Sequence, residues 1–155
     1  MENQPAPDFE APASGGGRFK LSDRNGRGIV LYFYPKNNTP GCTTEARDFA
    51  ALHGEFAAAG WEIVGVSRDS VTSHEDFCAR HALPFTLLAD TDERVCELYG
   101  VMKLKNMYGK QVRGIERSTF VIAPDGRVAR TWRGVKVPGH AREVLEYVRS
   151  LSLNP

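Results

Sequence analysis

A chain of 155 residues with 41% hydrophobic and 25% charged residues has the composition of one ordinary globular domain and is too short for two well-cored ones. Its 20 Lys+Arg against 19 Asp+Glu leave a formal charge of +1, so no basic excess points to nucleic acid or another polyanion. No apolar run is long enough to span a membrane, and the opening Met1-Glu2-Asn3-Gln4-Pro5 lacks the basic and apolar regions of an export signal; a cytoplasmic protein with no membrane partner is expected.

Residues 1–18 form a segment rich in Pro, Ala, Ser and Gly, with Gly15-Gly16-Gly17 read as a flexible loop within a single domain of residues 1–155. The continuous apolar and aromatic run 29–34, ended by Pro35, predicts a buried strand. Helical spacing of Ala46, Phe49, Ala50, Leu52 and Phe56 predicts a helix over 42–59, stopped by Gly60. Next come a strand over 62–67, a helix over 73–81 with Ser73 as N-cap, a strand over 84–88 and a helix over 91–99. A Lys- and Gly-containing loop is expected from 102 to 114, then a hairpin of strands 118–123 and 127–132 around Pro124-Asp125-Gly126. The chain closes with an amphipathic helix over 140–151 that carries Val144, Leu145, Val148 and Leu151 on one face. Strands alternating with helices, then a hairpin and a last helix, predict an α/β fold with a mixed central sheet flanked by helices.

Three cysteines, Cys42, Cys78 and Cys96, are too few and of the wrong parity for a secreted disulfide framework, and they form no Cys-x-x-Cys pair. Cys42 stands where an apolar strand passes through a Pro/Gly turn into the start of a helix. There the sulfur faces backbone N–H groups without intrahelical partners and the positive end of the helix dipole, both of which favour thiolate. A free cysteine with a pKa near 8.5 is roughly 3% ionised at pH 7, whereas a shift to about 6 makes that roughly 90%. Cys42 is therefore the candidate nucleophile. His53, His74, His81 and His140 show no metal spacing, and there is no phosphate loop or dinucleotide fingerprint, so neither metal nor cofactor is expected. Trp61 and Trp132 read as packing residues at strand ends.

The spacing Pro35-x-x-x-Thr39-x-x-Cys42, within Tyr34-Pro35-Lys36-Asn37-Asn38-Thr39-Pro40-Gly41-Cys42-Thr43, resembles the peroxiredoxins, and specifically the peroxiredoxin Q or bacterioferritin comigratory protein subgroup. Two further blocks match in order, Gly114-Ile115-Glu116-Arg117-Ser118-Thr119-Phe120-Val121-Ile122 and Gly139-His140-Ala141 with Glu143-Val144-Leu145, so the resemblance runs from about Ala6 to Val148. It implies a thioredoxin-like fold and a cofactor-free thiol peroxidase acting on hydrogen peroxide and organic hydroperoxides, with thioredoxin as reductant.

The resemblance gives Cys42 the attack on the peroxide, Thr39 a hydroxyl that donates to it, and Arg117 a fixed charge beside the sulfur. By residue type alone Thr39 reads equally as a turn or helix-cap residue, and Arg117 reads as a solvated surface residue at a strand end. Pro35 shapes the pocket and shields the thiolate, and the backbone N–H groups at Gly41 and Cys42 complete the donors. Glu45 reads as an acid of the first turn that suits the helix dipole. In many members the resolving thiol lies five residues after the attacking one; here that position is Arg47. Cys78 matches the other arrangement, a resolving thiol on a later helix, which implies an intrachain disulfide compatible with a monomer and a local unwinding to close it. Cys96, like Cys78, reads on residue grounds alone as a packed helix residue. A general thiol–disulfide oxidoreductase lacks its Cys-x-x-Cys here, and a non-catalytic redox-sensing or chaperone protein is the alternative from another class.

Overall fold

The structure, a computed structural model, describes residues 1–152. Three parallel strands, β3 (Gly28–Phe33), β4 (Trp61–Ser67) and β5 (Thr86–Ala89), are linked by the crossover helices α1 (Pro40–Ala58) and α2 (Val71–His81). Beyond them a short helix α3 (Arg94–Leu98) precedes the antiparallel strands β8 (Ser118–Ile122) and β9 (Val128–Arg133), and helix α4 (His140–Ser152) ends the described chain. The sheet order is β5-β4-β3-β8-β9, so β3 is central and its buried run needs apolar side chains on both faces.

Alternation along β3 builds two cores. Ile29, Leu31 and Phe33 pack with Phe120, Tyr99, Val95 and Cys96 on one face. Val30, Tyr32 and Tyr34 pack with Cys42, Phe49, Phe77, Val144 and Leu145 on the other, under α1, α2 and α4. At Gly65, the register partner of Tyr32, a Cβ would stand 2.7 Å from Leu87 and 2.9 Å from the Tyr32 ring, so the missing side chain makes room for the phenol. This is the thioredoxin-like arrangement with a mixed central sheet.

Several boundaries differ from the sequence reading. Within the segment expected to be loop, β1 (Glu10–Pro12) pairs antiparallel with β2 (Arg18–Lys20), and Gly15-Gly16-Gly17, all at positive φ, form their turn. Ala13 bridges Leu88, which fastens that hairpin to β5. The loop expected over 102–114 is a second hairpin, β6 (Met102–Met107) with β7 (Lys110–Ile115), turned by Tyr108 and Gly109 at φ 53° and 77°. Most of its side chains are exposed, so no apolar alternation marks it in the sequence. Helix α2 is capped by Ser70, whose side chain accepts from Ser73 N–H, and not by Ser73. Helix α3 is shorter than expected because Asp90 gathers Val95 N–H and Cys96 N–H, at 3.0 and 2.7 Å, and holds its first turn. No helix among the described residues is long and apolar enough to cross a membrane.

Candidate active site

Past Phe33, Tyr34 N–H still bonds Val66 O, and Pro35 then ends the pairing. Asn38, at φ 65°, turns the chain into α1, which starts at Pro40 with Thr39 in the N-cap position. The helix therefore opens two residues before the expected Cys42, and Cys42 is its third residue, 2% exposed.

Arg117, one residue before β8, reaches this helix with its side chain. Its Nη2 donates to Cys42 Sγ at 3.3 Å and its Nη1 donates to Glu45 Oε1 at 2.6 Å. The main chain of Arg117 is tied as well, its carbonyl accepting Val135 N–H at 2.9 Å. Gly41 permits the approach, since a Cβ there would lie 3.3 Å from Arg117 Nη2. A guanidinium divided between a carboxylate and a sulfur has its fork oriented before any substrate arrives.

Glu45 has a different role from the one its position suggested. It lies beyond the first turn of α1, is 1% exposed, and has Arg117 for its ion partner. Its Oε2 has no hydrogen-bond partner among the described residues, and burial pushes its carboxyl up to about 7 against the pull of Arg117. The available signal was spacing, because Glu45 is three residues after Cys42 and thus on the same helix face.

Thr39 does not cap the helix with its side chain; its hydroxyl donates to Lys36 O at 2.8 Å. With that hydrogen directed at Lys36 O, Oγ1 presents its lone pairs. The N–H groups of Gly41 and Cys42, in the first turn, are left without a side-chain cap from Thr39. Behind Arg117, His140 is buried with Nε2 2.8 Å from Thr119 Oγ1, and burial, helped by the charges of Arg117 and Arg130, pushes its ring down to about 4.

All three cysteines are free thiols in this structure. Cys78, in the last turns of α2, is half-buried against the core that contains Cys42. Its Sγ lies 3.8 Å from Ser14 Oγ, beside a cleft of about 470 Å³ lined by Ser14, Gly15, Glu75, Leu83 and Phe85. Burial raises its pKa, with Ser14 opposing. Tyr32 lies in the same core: its buried hydroxyl has no hydrogen-bond partner among the described residues, and its pKa is pushed well up by burial and by Tyr34, Glu45, Cys42 and Cys78 around it. Cys96 belongs to the core on the opposite face of the sheet, is fully buried, and has its thiol pushed far up by burial and by Asp90.

Residues 3–131 match the model of the AhpC/TSA family. Peroxiredoxin Bcp of Xanthomonas campestris is 53% identical over 148 residues, covering 94% of this chain and 92% of its own. Peroxiredoxin Bcp of Bacillus subtilis is 49% identical over 149 residues, covering 96% and 95%. The solved Xanthomonas campestris peroxiredoxin Q superposes with a TM-score of 0.89 at 52% identity, over 93% of this chain and 91% of that one. Solved mutants of that protein replace one or other of two cysteines 36 residues apart, the separation of Cys42 and Cys78 here. Another structure, of the Xanthomonas campestris bacterioferritin comigratory protein, concerns its alkyl peroxide reduction activity. With three motif blocks in order, the fold around them and these relatives, the chain belongs to the AhpC/TSA family, in its peroxiredoxin Q/Bcp subgroup.

Proposed function

We propose that this protein is a thiol peroxidase that reduces hydrogen peroxide and organic hydroperoxides through Cys42. The observation that carries the reading is the Arg117 guanidinium, 3.3 Å from Cys42 Sγ and braced by Glu45 at 2.6 Å. The Cys42 thiolate attacks the terminal oxygen of the hydroperoxide; an S–O bond forms, the O–O bond breaks, and two electrons pass from sulfur to the peroxide. The products are the Cys42 sulfenic acid and an alkoxide or hydroxide, which takes a proton from solvent. Thr39 Oγ1 accepts the O–H of the attacked oxygen, while Arg117 and the first-turn N–H groups stabilise the negative charge moving across the O–O bond.

The Cys78 thiolate then attacks the sulfenic sulfur, the S–O bond breaks with loss of hydroxide, and an intrachain disulfide forms. Placement supports Cys78 over Cys96, since Cys78 shares the core of Cys42 whereas the sheet stands between Cys42 and Cys96. The cysteine separation in the Xanthomonas mutants supports the same pair. An external dithiol protein, which we take to be thioredoxin, reduces the disulfide and closes the cycle in the reducing cytoplasm. Pairing within one chain lets a monomer suffice. Peptide mass mapping after one equivalent of peroxide tests the scheme: a peptide pair linking Cys42 to Cys78 is expected, and a Cys42–Cys96 link, or no link with both thiols unmodified, overturns it.

A further inference from the structure

A buried hydrogen-bonded network lies beside the site and takes no part in the chemistry above. Asn37, in the loop leading to Thr39 and Cys42, is 3% exposed, and His74, in the first turn of α2, is fully buried. We propose that Asn37 is a positioning residue that, through His74, clamps the loop of Cys42 to the helix of Cys78, and that protonation of His74 releases the clamp. The proposal rests on Cys78 as the resolving thiol only for its catalytic consequence.

The hydrogens can be assigned one by one. Leu88 O, 2.9 Å from His74 Nε2, can only accept, so Nε2 carries the proton and Nδ1 of the neutral ring presents a lone pair. Tyr34 O–H donates to Asn37 Oδ1 at 2.6 Å, which turns Asn37 Nδ2 toward His74 Nδ1 at 3.0 Å and Ser73 Oγ at 3.1 Å. Both Nδ2 hydrogens are then used. Asn37 N–H donates to Asp69 Oδ2 at 2.9 Å, and that oxygen also accepts Ser67 O–H at 2.6 Å. One side chain on the Cys42 loop thus bonds two consecutive residues of α2, one turn before Cys78.

Protonation puts a hydrogen on Nδ1, facing the Asn37 Nδ2 hydrogens. Tyr34 Oη, 3.4 Å from Nδ1, is the remaining acceptor, and the ring reaches it only by leaving Asn37. The other groups facing the ring are Ser67 Oγ from β4, at 3.5 Å from Nε2, and Asp69. The Asp69 charge favours the protonated ring, while burial, the larger influence, disfavours it. On α2 itself Glu75 and Asp76 are exposed and Ser73 is uncharged. Release frees α2 to unwind, which is the movement Cys78 needs to reach Cys42.

Hydrogen exchange of the fully reduced protein, followed by mass spectrometry on peptides covering α2 and corrected for the intrinsic effect of pH, tests the clamp. Protection of α2 should fall about 10-fold as pH drops through the titration of His74, the effect of losing one buried hydrogen bond. Asn37→Asp should invert the slope, because a carboxylate accepts from protonated Nδ1 and repels the lone pair of the neutral ring. His74→Asn should abolish the slope. The same pH slope in wild type and Asn37→Asp, or a slope that survives in His74→Asn, overturns the proposal. A separate reading, Cys42–Cys78 disulfide formation after a peroxide pulse, should be faster in Asn37→Ala. If wild type shows the expected exchange but never forms that disulfide, the resolving role of Cys78 fails and the clamp stands.

Discussion

Glu45 holds Arg117 by a 2.6 Å ion pair between a carboxylate that is 1% exposed and a guanidinium that also touches Cys42. The folded pKa of Glu45, about 7, is above its unfolded value of 4.5, so between these values the folded state binds the proton that the unfolded state has lost. Stability therefore declines as pH rises from about 4.5 to about 7 and is level on either side as far as this group is concerned. Urea midpoints measured across this range should show a smaller decline in Glu45→Gln than in wild type. Equal declines would show that Glu45 does not titrate between these values on folding.

Because Glu45 orients the guanidinium, Glu45→Ala should reduce the rate constant for peroxide attack by roughly 100-fold, the order expected for displacing a positioned group by an ångström. Glu45→Gln, which still accepts from Arg117, should keep more of the rate. Stopped-flow oxidation of Cys42 reads both.

Arg117→Ala removes a charged donor from the position where negative charge moves during attack. The rate constant should fall by roughly 100- to 1000-fold, as when one preorganised donor is lost from an anion-stabilising site. Arg117→Lys should recover only part, since an ammonium cannot serve Cys42 and Glu45 through one planar fork. A lysine variant as fast as wild type would contradict the divided fork.

Thr39→Val deletes the proposed acceptor for the peroxide O–H and the bond to Lys36 O, whereas Thr39→Ser keeps both. The valine variant should lose at least about 10-fold in attack rate, as for loss of a positioned proton-handling group. The serine variant should stay close to wild type in the same stopped-flow assay.

The cysteine variants separate the two sheet faces. Cys78→Ser should consume one equivalent of peroxide and then stall with Cys42 as sulfenic or sulfinic acid, while Cys96→Ser should turn over at the wild-type rate. Steady-state turnover with a dithiol reductant and intact mass distinguish them, and sustained dithiol-driven turnover by Cys78→Ser would move the resolving role elsewhere.

The parts of the site legible in the sequence are those whose geometry is local. Pro35, Thr39, Gly41 and Cys42 lie on one strand–turn–helix passage, where placement at a helix start was enough to mark Cys42, while the roles of Thr39, Pro35 and Gly41 were readable only through the family resemblance. Arg117 was readable only because its surrounding block resembles a known pattern; alone, it looks like any strand-end arginine. Glu45 was misread because its partner is 72 residues away and the helix began two residues early, so neither its burial nor its ion pair had a local signature. Asn37 and His74 stayed hidden for the same reason, as their bond spans 37 residues. In the fold, the unbroken apolar run of β3 marked a strand buried on both faces. The β6–β7 hairpin went unseen because Lys103, Leu104, Asn106, Met107 and Val112 are exposed, which removes the burial pattern that marks a strand.

Hydroperoxide reduction is proposed to take place at the sulfur of Cys42. Stopped-flow mixing of reduced wild type and Cys42→Ser with hydrogen peroxide and an alkyl hydroperoxide tests it most directly. Wild type should consume either peroxide rapidly and stoichiometrically and the serine variant no faster than buffer; equal, slow consumption by both would rule out this role for Cys42.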